Sequence, residues 1–388
     1  MKAIPAPRIA SLDVVRGLIM ILMALDHDRD FFHLDAFRFA PEDLHQSNLA
    51  LFFTRWITHL CAPLFLLLAG ISISLYQDNK STAETSSYVF FRGLWLVLLE
   101  LTLIRFAWHF SIDTHYIMGA VIWVIGWSMV LMALFVYLPK KLSGIVAILI
   151  LVVHNTMDHV VFDQSTTTQL IWSFLHVTSK TMITDQFFVF ILYPLLPALG
   201  VMLLGYFMGK WYTKDFDARK RFLYLLIVGL SCLVIFILLR FTNSYGDVKQ
   251  FAFQQTTAQN IMSFFDVSKY PFSLHYCLVT LGIGFILLAL TEKMQNGFFK
   301  ILATFGQVPM FYYILHLYFL HALSVFLFSL TNPESHEQWM DLGHRTTIGY
   351  SLPVVYAIWI LSCILFFFLC QKYSAYKKTH RNILTKLI

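Results

Sequence analysis

Charge is what this sequence has least of. Only 13% of its 388 residues are Asp, Glu, Lys or Arg, against about 25% in soluble globular proteins, while 58% are hydrophobic and the mean hydropathy is +0.67. One core cannot hide that much apolar surface, so ordinary water-soluble classes are excluded. Cysteine is sparse as well. Cys61, Cys232, Cys277, Cys363 and Cys370 lie mostly within apolar runs and lack paired CxxC spacing, which argues against a disulfide framework and structural zinc. There is no Gly-rich phosphate loop, Rossmann fingerprint or nucleic-acid motif, so the net charge of +6 and pI near 8.9 imply no nucleic acid partner. Internal repeats, low-complexity tracts and interdomain linkers are missing too, and residues 1–388 read as one polytopic domain.

What is present is long, continuous apolar runs. They predict an all-α integral membrane protein, since a barrel would need alternating segments of about ten residues. Ten spans are expected, at about 12–32, 51–76, 88–110, 115–138, 142–161, 187–209, 220–240, 270–291, 308–330 and 349–372. Lys2 and Arg8 before the first run imitate a signal peptide, but no small-residue cleavage site follows, so this reads as a retained first helix. With the N-terminus inside, the inner segments hold Lys2 and Arg8, Lys80 and Arg92, Lys140 and Lys141, Lys210 to Arg221, Lys293 and Lys300, and the tail from Lys372 to Lys386. That is 18 of the 28 Lys and Arg residues, and it satisfies the positive-inside rule with both termini cytoplasmic. Most histidines then fall toward the outer face, among them His27, His59, His154, His159, His176, His275, His336 and His344, with His316 and His321 inside the ninth span. Chemistry near the extracytoplasmic side accounts for this asymmetry; singly, each could be a hydrogen-bonded interfacial histidine.

The most informative stretch runs from Arg8 to Asp30. Ser11 is placed to cap a helix, and Asp13 to pair with Arg16 three residues on, which offsets the cost of a permanent cation in the inner leaflet. Arg16 and His27 are eleven residues apart, so they share a helix face within about 20° and are separated by about 16 Å, half the hydrocarbon thickness. A ligand gripped at Arg16 from the cytoplasm can extend toward an imidazole near the outer interface. The plainer reading has Arg16 snorkelling to lipid phosphates and His27 ending the helix.

Several motifs go further: Ser11-Leu-Asp-Val-Val-Arg16-Gly, Arg16-x10-His27, and Phe53-Thr-Arg-Trp-Ile-Thr-His59-Leu-Cys-Ala-Pro63-Leu-Phe-Leu-Leu-Leu-Ala-Gly70. Later come Lys269-Tyr-Pro-Phe-Ser273 and Gly306-Gln-Val-Pro-Met-Phe-Tyr-Tyr-Ile-Leu-His316. Together they resemble the transmembrane acyltransferases of the heparan-alpha-glucosaminide N-acetyltransferase type, especially the bacterial branch, within a wider acyltransferase-3-like group. The resemblance is strongest over the first eighty residues. It implies acyl transfer from cytoplasmic acetyl-CoA or another acyl-CoA to a sugar amine or hydroxyl, a glycan acceptor at the extracytoplasmic face, in the bacterial inner membrane. The lysosomal enzyme has Asn in place of His27, and its proposed catalytic His has no clear counterpart here, so heparan chemistry does not carry over.

A thioester is already electrophilic, so the protein must position it, deprotonate the acceptor and stabilise the oxyanion. His27 is the preferred general base, with Asp26 or Asp28 as ring partners, although each points about 100° away and a carboxylate from another helix would serve as well. An acyl-imidazole intermediate on His27 is equally open. Arg16, backed by Asp13, is the expected acyl-CoA contact. Arg55 and His59 share a face and are read as lining the acceptor entrance or stabilising the oxyanion or, alternatively, as an interfacial Arg with a capping His; His316 is a third substrate-side candidate or, more plainly, a hydrogen-bonded histidine of the bundle. Glu100 and Arg105 should face protein or water. The Lys210–Arg221 cluster fits either CoA phosphates or simple inside orientation. His154, Asp158 and His159 do not converge on one ion along a helix, so no metal is expected. A proton-coupled small-molecule transporter is the rival function, although its usual inverted repeats are absent. A haem protein is a third, without CxxCH.

Overall fold

The computed structural model describes residues 10–112, 115–160, 165–292, 294, 296–334 and 347–380. Lys2, Arg8, Lys293, His336, His344 and Lys386 lie outside them. The chain folds as a multi-pass bundle of membrane helices around its first helix, α1 (Ala10–Phe32). This helix spans 23 residues, about 34 Å, enough to cross the hydrocarbon layer. It starts at or before Ala10, so Ser11 lies inside the first turn rather than at the cap.

Next come α2 (Leu49–Trp56), a 3₁₀ turn (Ile57–Leu60) and α3 (Cys61–Gln77), which form one continuous rod. Then follow α4 (Thr82–Leu99), a π turn (Glu100–Ile104) and α5 (Arg105–His109). After these come α6 (Val121–Phe135), α7 (Lys140–Val153) with a 3₁₀ turn (His154–Met157), α8 (Thr166–Leu175) and α9 (Leu195–Met208). The remaining helices are α10 (Ala218–Thr242), α11 (Thr257–Phe265), α12 (Leu274–Thr291), α13 (Gly297–Gln307), α14 (Pro309–Thr331) and α15 (Leu352–Thr379).

Among the described residues six stretches are long and apolar enough to span a membrane, not the ten expected: Leu49–Gln77, Lys140–Met157, Ala218–Thr242, Leu274–Thr291, Pro309–Thr331 and Leu352–Thr379. The other four apolar runs fall short for separate physical reasons. Helix α1 is long but carries Asp13, Arg16, Asp26, Asp28, Arg29 and Asp30; α4 opens on the polar run Thr82 to Ser87 and is interrupted by the π turn; α6 and α9 are short. The starts of two expected spans are not helical at all. Residues Tyr116–Gly119 form β1 and Phe187–Ile191 form β3, which pair in parallel, and β2 (Ser179–Thr184) adds to β3 antiparallel in the order β1-β3-β2. Periodicity alone cannot separate short aromatic or β-branched runs such as Phe187-Phe-Val-Phe-Ile191 from helix ends.

Burial sorts the helices into inner and outer. The apolar windows of Leu49–Gln77 and Leu274–Thr291 are 78% and 72% buried, whereas those of α10 and α15 are only 17% buried and so turn their side chains toward lipid. The inner helices approach to backbone contact through glycine. A Cβ on Gly17 would stand 1.8 Å from the Leu302 carbonyl oxygen and one on Gly306 1.9 Å from that of Asp13, so α1 and α13 touch main chain to main chain. Gly70 and Gly205 do the same for α3 and α9. Small residues at such crossings replace the hydrophobic drive that lipid cannot supply.

The candidate active site

Close contact with α13 determines the surroundings of Arg16. Its guanidinium bonds Asp13 Oδ1 at 2.8 Å, the Gly306 carbonyl at 3.2 Å and Ser72 Oγ at 3.3 Å. The carbonyl is within reach because Gly17 and Gly306 carry no side chains. Arg16 also lines a cavity of about 980 Å³ between α1, α3, α4, α6, α14 and the end of α15. Three other cations line it, Lys80, Arg92 and Lys377, and no acidic residue does among the described residues. The Lys210–Arg221 cluster is not part of this lining. There Arg221 pairs with Glu292 and donates to the Trp211 carbonyl at 3.0 Å, a structural tie between α10 and the end of α12.

From the cations the lining turns apolar through Met20, Leu68 and Leu96 and reaches Met23, Val121, Ile122 and Tyr313. Met23 is one helical turn before His27 on α1, and the Tyr313 ring sits edge-on to the His27 ring with centroids 6.0 Å apart. The upper wall depends on Glu100. Helix α6 begins after Ala120, whose methyl cannot accept a hydrogen bond, and Glu100 Oε2 accepts from the amides of Ile122 at 2.9 Å and Trp123 at 3.1 Å. A carboxylate from the π turn of a neighbouring helix thus satisfies α6's first amides. Arg105 instead lies 4.4 Å over the Tyr116 ring.

His27 finds its partner in neither adjacent carboxylate. Its Nδ1 is 2.7 Å from His316 Nε2, and His316 Nδ1 is 2.8 Å from the Tyr312 carbonyl oxygen. A carbonyl only accepts, so His316 donates from Nδ1; its Nε2 is then the acceptor, and His27 must donate from Nδ1. The lone pair of neutral His27 therefore sits on Nε2, which makes no hydrogen bond among the described residues. Trp108, at 5.0 Å and nearly perpendicular, packs beside the ring.

Asp26 belongs to a second network. It pairs with Arg55, and with Arg29 at 3.2 Å; Arg55 also meets Glu42 at 3.3 Å and donates to Tyr270 Oη at 3.2 Å, which in turn lies 3.3 Å from Tyr193 Oη. His59 approaches Glu42 at 3.8 Å, and neither of its ring nitrogens has a hydrogen-bond partner although it is 2% exposed. Arg55 and His59 thus converge as their spacing suggested, even though the rod tightens to 3₁₀ between them. Glu42 lies in the connection outside the helices. Burial alone would raise its carboxyl, but the Arg55 and Arg29 guanidinium groups outweigh that and hold it below the usual carboxylate range. Asp28 turns the other way, toward Tyr312 and Cys363, fully buried with no hydrogen-bond partner for either oxygen.

Among the expected site residues, Arg16 stands at the cavity with Asp13 paired to it outside the lining, His27 and His316 form a pair above it, Asp26, Arg55 and His59 share the adjoining network, and Asp28 joins neither. Sequence reasoning assigned no role to Glu42, Tyr270 or Tyr313, and it expected of Glu100 only that it face protein or water, not that it cap α6. The Lys269-Tyr270-Pro271 motif was the one available signal for the second of these, and Lys269, 8% exposed, stacks its ammonium 5.2 Å from the Tyr270 ring.

A buried histidine pair thus stands above a cation-lined cavity inside a multi-pass bundle, and the fold is that of an all-α membrane protein. The chain matches the family model for heparan-alpha-glucosaminide N-acetyltransferase, catalytic, over residues 8–241, more than half its length, and it belongs to that family. No curated protein matches it.

Proposed function

We propose that this protein is a membrane-embedded acyltransferase that takes an acetyl or other acyl group from acyl-CoA at the face bearing Arg16 and delivers it to a sugar amine or hydroxyl at the face bearing His27. The observation that carries this reading is the cavity itself: cationic at Arg16, Lys80, Arg92 and Lys377, apolar along its length, and ending at Tyr313 and Met23 beside His27. The cations suit the phosphates of CoA and the apolar walls its arm. By the positive-inside rule the cationic face is the cytoplasmic one.

In the transfer, the acceptor's nitrogen or oxygen attacks the thioester carbonyl while His27 Nε2 takes its proton. The carbon–sulfur bond breaks, and the proton goes to the departing thiolate, giving free CoA. His316 holds the productive tautomer and accepts from Nδ1 of the imidazolium, the office that a carboxylate fills in other triads. Asp26, Arg55, Glu42 and His59 form the wall that meets the acceptor.

The test uses the full chain purified in detergent, with labelled acetyl-CoA and a panel of amino sugars and neutral sugars. Labelled product and CoA release by wild type, lost in His27→Ala, support the reading. Flux of a solute across vesicles with no acyl turnover would favour the transporter instead.

A further inference from the structure

The fold completes a cluster that residues 154–159 alone do not make. His154 and Asp158 lie at the end of α7, and His176, which ends α8, is brought against them. One ring nitrogen from each histidine and one carboxylate oxygen all fall within 4.8 Å of one another. His159, the residue adjacent in sequence, is exposed and takes no part.

We propose that His154, Asp158 and His176 bind a divalent transition metal ion, zinc by preference, that pins the end of α7 to the end of α8. Two imidazoles and one carboxylate are a common zinc donor set, which leaves a fourth position for water. The independent observation is His154: 1% exposed, with neither ring nitrogen hydrogen-bonded. An imidazole so buried pays a desolvation cost that no protein partner offsets, and a metal bond would. His176, fully buried, also has an unpartnered nitrogen, Nδ1, while its Nε2 meets Asp158 Oδ1 at 2.9 Å.

The carboxylate is supported from outside the cluster. Asn155 donates from Nδ2 to Asp158 Oδ2 at 2.8 Å and is itself held by the Leu274 amide, which donates to its Oδ1 at 2.9 Å. The carboxylate is thereby oriented by a residue that is clamped to α12, the outer-shell arrangement that tunes metal sites. On binding, the ion takes the place of the proton between His176 Nε2 and Asp158 Oδ1, which is released to solvent, and drawing the three atoms from within 4.8 Å onto bonds of about 2 Å needs only small side-chain movements. This inference goes beyond acyl transfer and does not depend on it.

The experiment is metal titration of full-length protein purified without a histidine tag and stripped with EDTA. With Zn²⁺ by calorimetry and Co²⁺ by its visible tetrahedral bands, one ion per chain is expected. His154→Ala or His176→Ala should weaken binding by about 100-fold and Asn155→Ala by about 10-fold, with His159→Ala unchanged. Failure of wild type to take up a stoichiometric ion, or unchanged uptake in His154→Ala and His176→Ala, overturns the proposal. If those variants do not fold, zinc-edge absorption on the loaded wild type decides: two imidazoles in a nitrogen and oxygen shell support the site, and a sulfur ligand or a shell without histidine overturns it.

Discussion

His27 Nδ1 and His316 Nε2 stand 2.7 Å apart, although 289 residues separate them along the chain. Because His316 is itself committed to the Tyr312 carbonyl, the pair has a direction, and His27 presents its free lone pair at Nε2. Removing either ring should therefore have unequal effects. His27→Ala should lower turnover by about 10²- to 10⁴-fold, the range for loss of a general base, and His316→Ala by less, with the acyl-CoA KM little changed in both. Steady-state CoA release measures this, and a larger loss from His316→Ala would reverse the assigned roles.

Arg16 meets the cavity through a planar guanidinium that also holds Asp13 and the Gly306 carbonyl. Arg16→Ala should raise the KM for acyl-CoA by about tenfold or more and leave the acceptor KM nearly unchanged. Arg16→Lys should recover only part of the loss, since a lysine keeps the charge but not the fork. Equal shifts in both constants would reject the placement of the donor at this end.

Two neighbouring aspartates on α1 should respond in opposite ways. Asp26 pairs with Arg55 and Arg29, so Asp26→Leu strands buried cations and should cost about 3–5 kcal/mol. Asp28 has no hydrogen-bond partner, so Asp28→Leu removes a polar group buried without compensation and should leave the melting temperature unchanged or higher. Thermal unfolding in detergent compares them directly.

The crossing of α1 with α13 leaves no room for a methyl group. A Cβ at Gly17 would lie 1.8 Å from the Leu302 oxygen, a main-chain atom that cannot swing aside, so Gly17→Ala should destabilise by about 1–3 kcal/mol and loosen the Gly306 contact to Arg16. Gly297→Ala, where a Cβ meets nothing within 4 Å, is the control in the same thermal assay.

Glu42 gives a pH signature. Its carboxyl is held below the ordinary value by Arg55 and Arg29 against the opposing effect of burial, so the stability it adds is fully present above the unfolded value of about 4.3 and fades as pH falls through the depressed one. The melting-temperature gap between wild type and Glu42→Gln should stay constant from pH 7 to about 5 and close in stronger acid. A gap that instead closes between pH 7 and 5 would contradict this sign.

What the amino-acid order determined by itself was everything that follows from composition and from helical period. Scarce charge and long apolar runs required a membrane bundle. The three-residue step from Asp13 to Arg16 yields the observed 2.8 Å pair, and the eleven-residue step to His27 sets both on one stripe of a continuous helix, because 3.6 residues per turn is a property of the backbone. The number of spanning helices was not legible in the same way: charge on α1, a π turn after α4 and strands at the starts of two runs interrupt what hydropathy alone reads as ten.

Only the tertiary structure decided who stands across from whom. That His316 rather than a carboxylate meets His27, that Lys80, Arg92 and Lys377 join Arg16 around one cavity, that Glu100 caps α6 and that His176 closes on His154 all depend on how helices cross. Those crossings are set by close packing at a few glycines and by buried polar groups that must find partners wherever the chain brings them, and neither constraint leaves a period in the sequence.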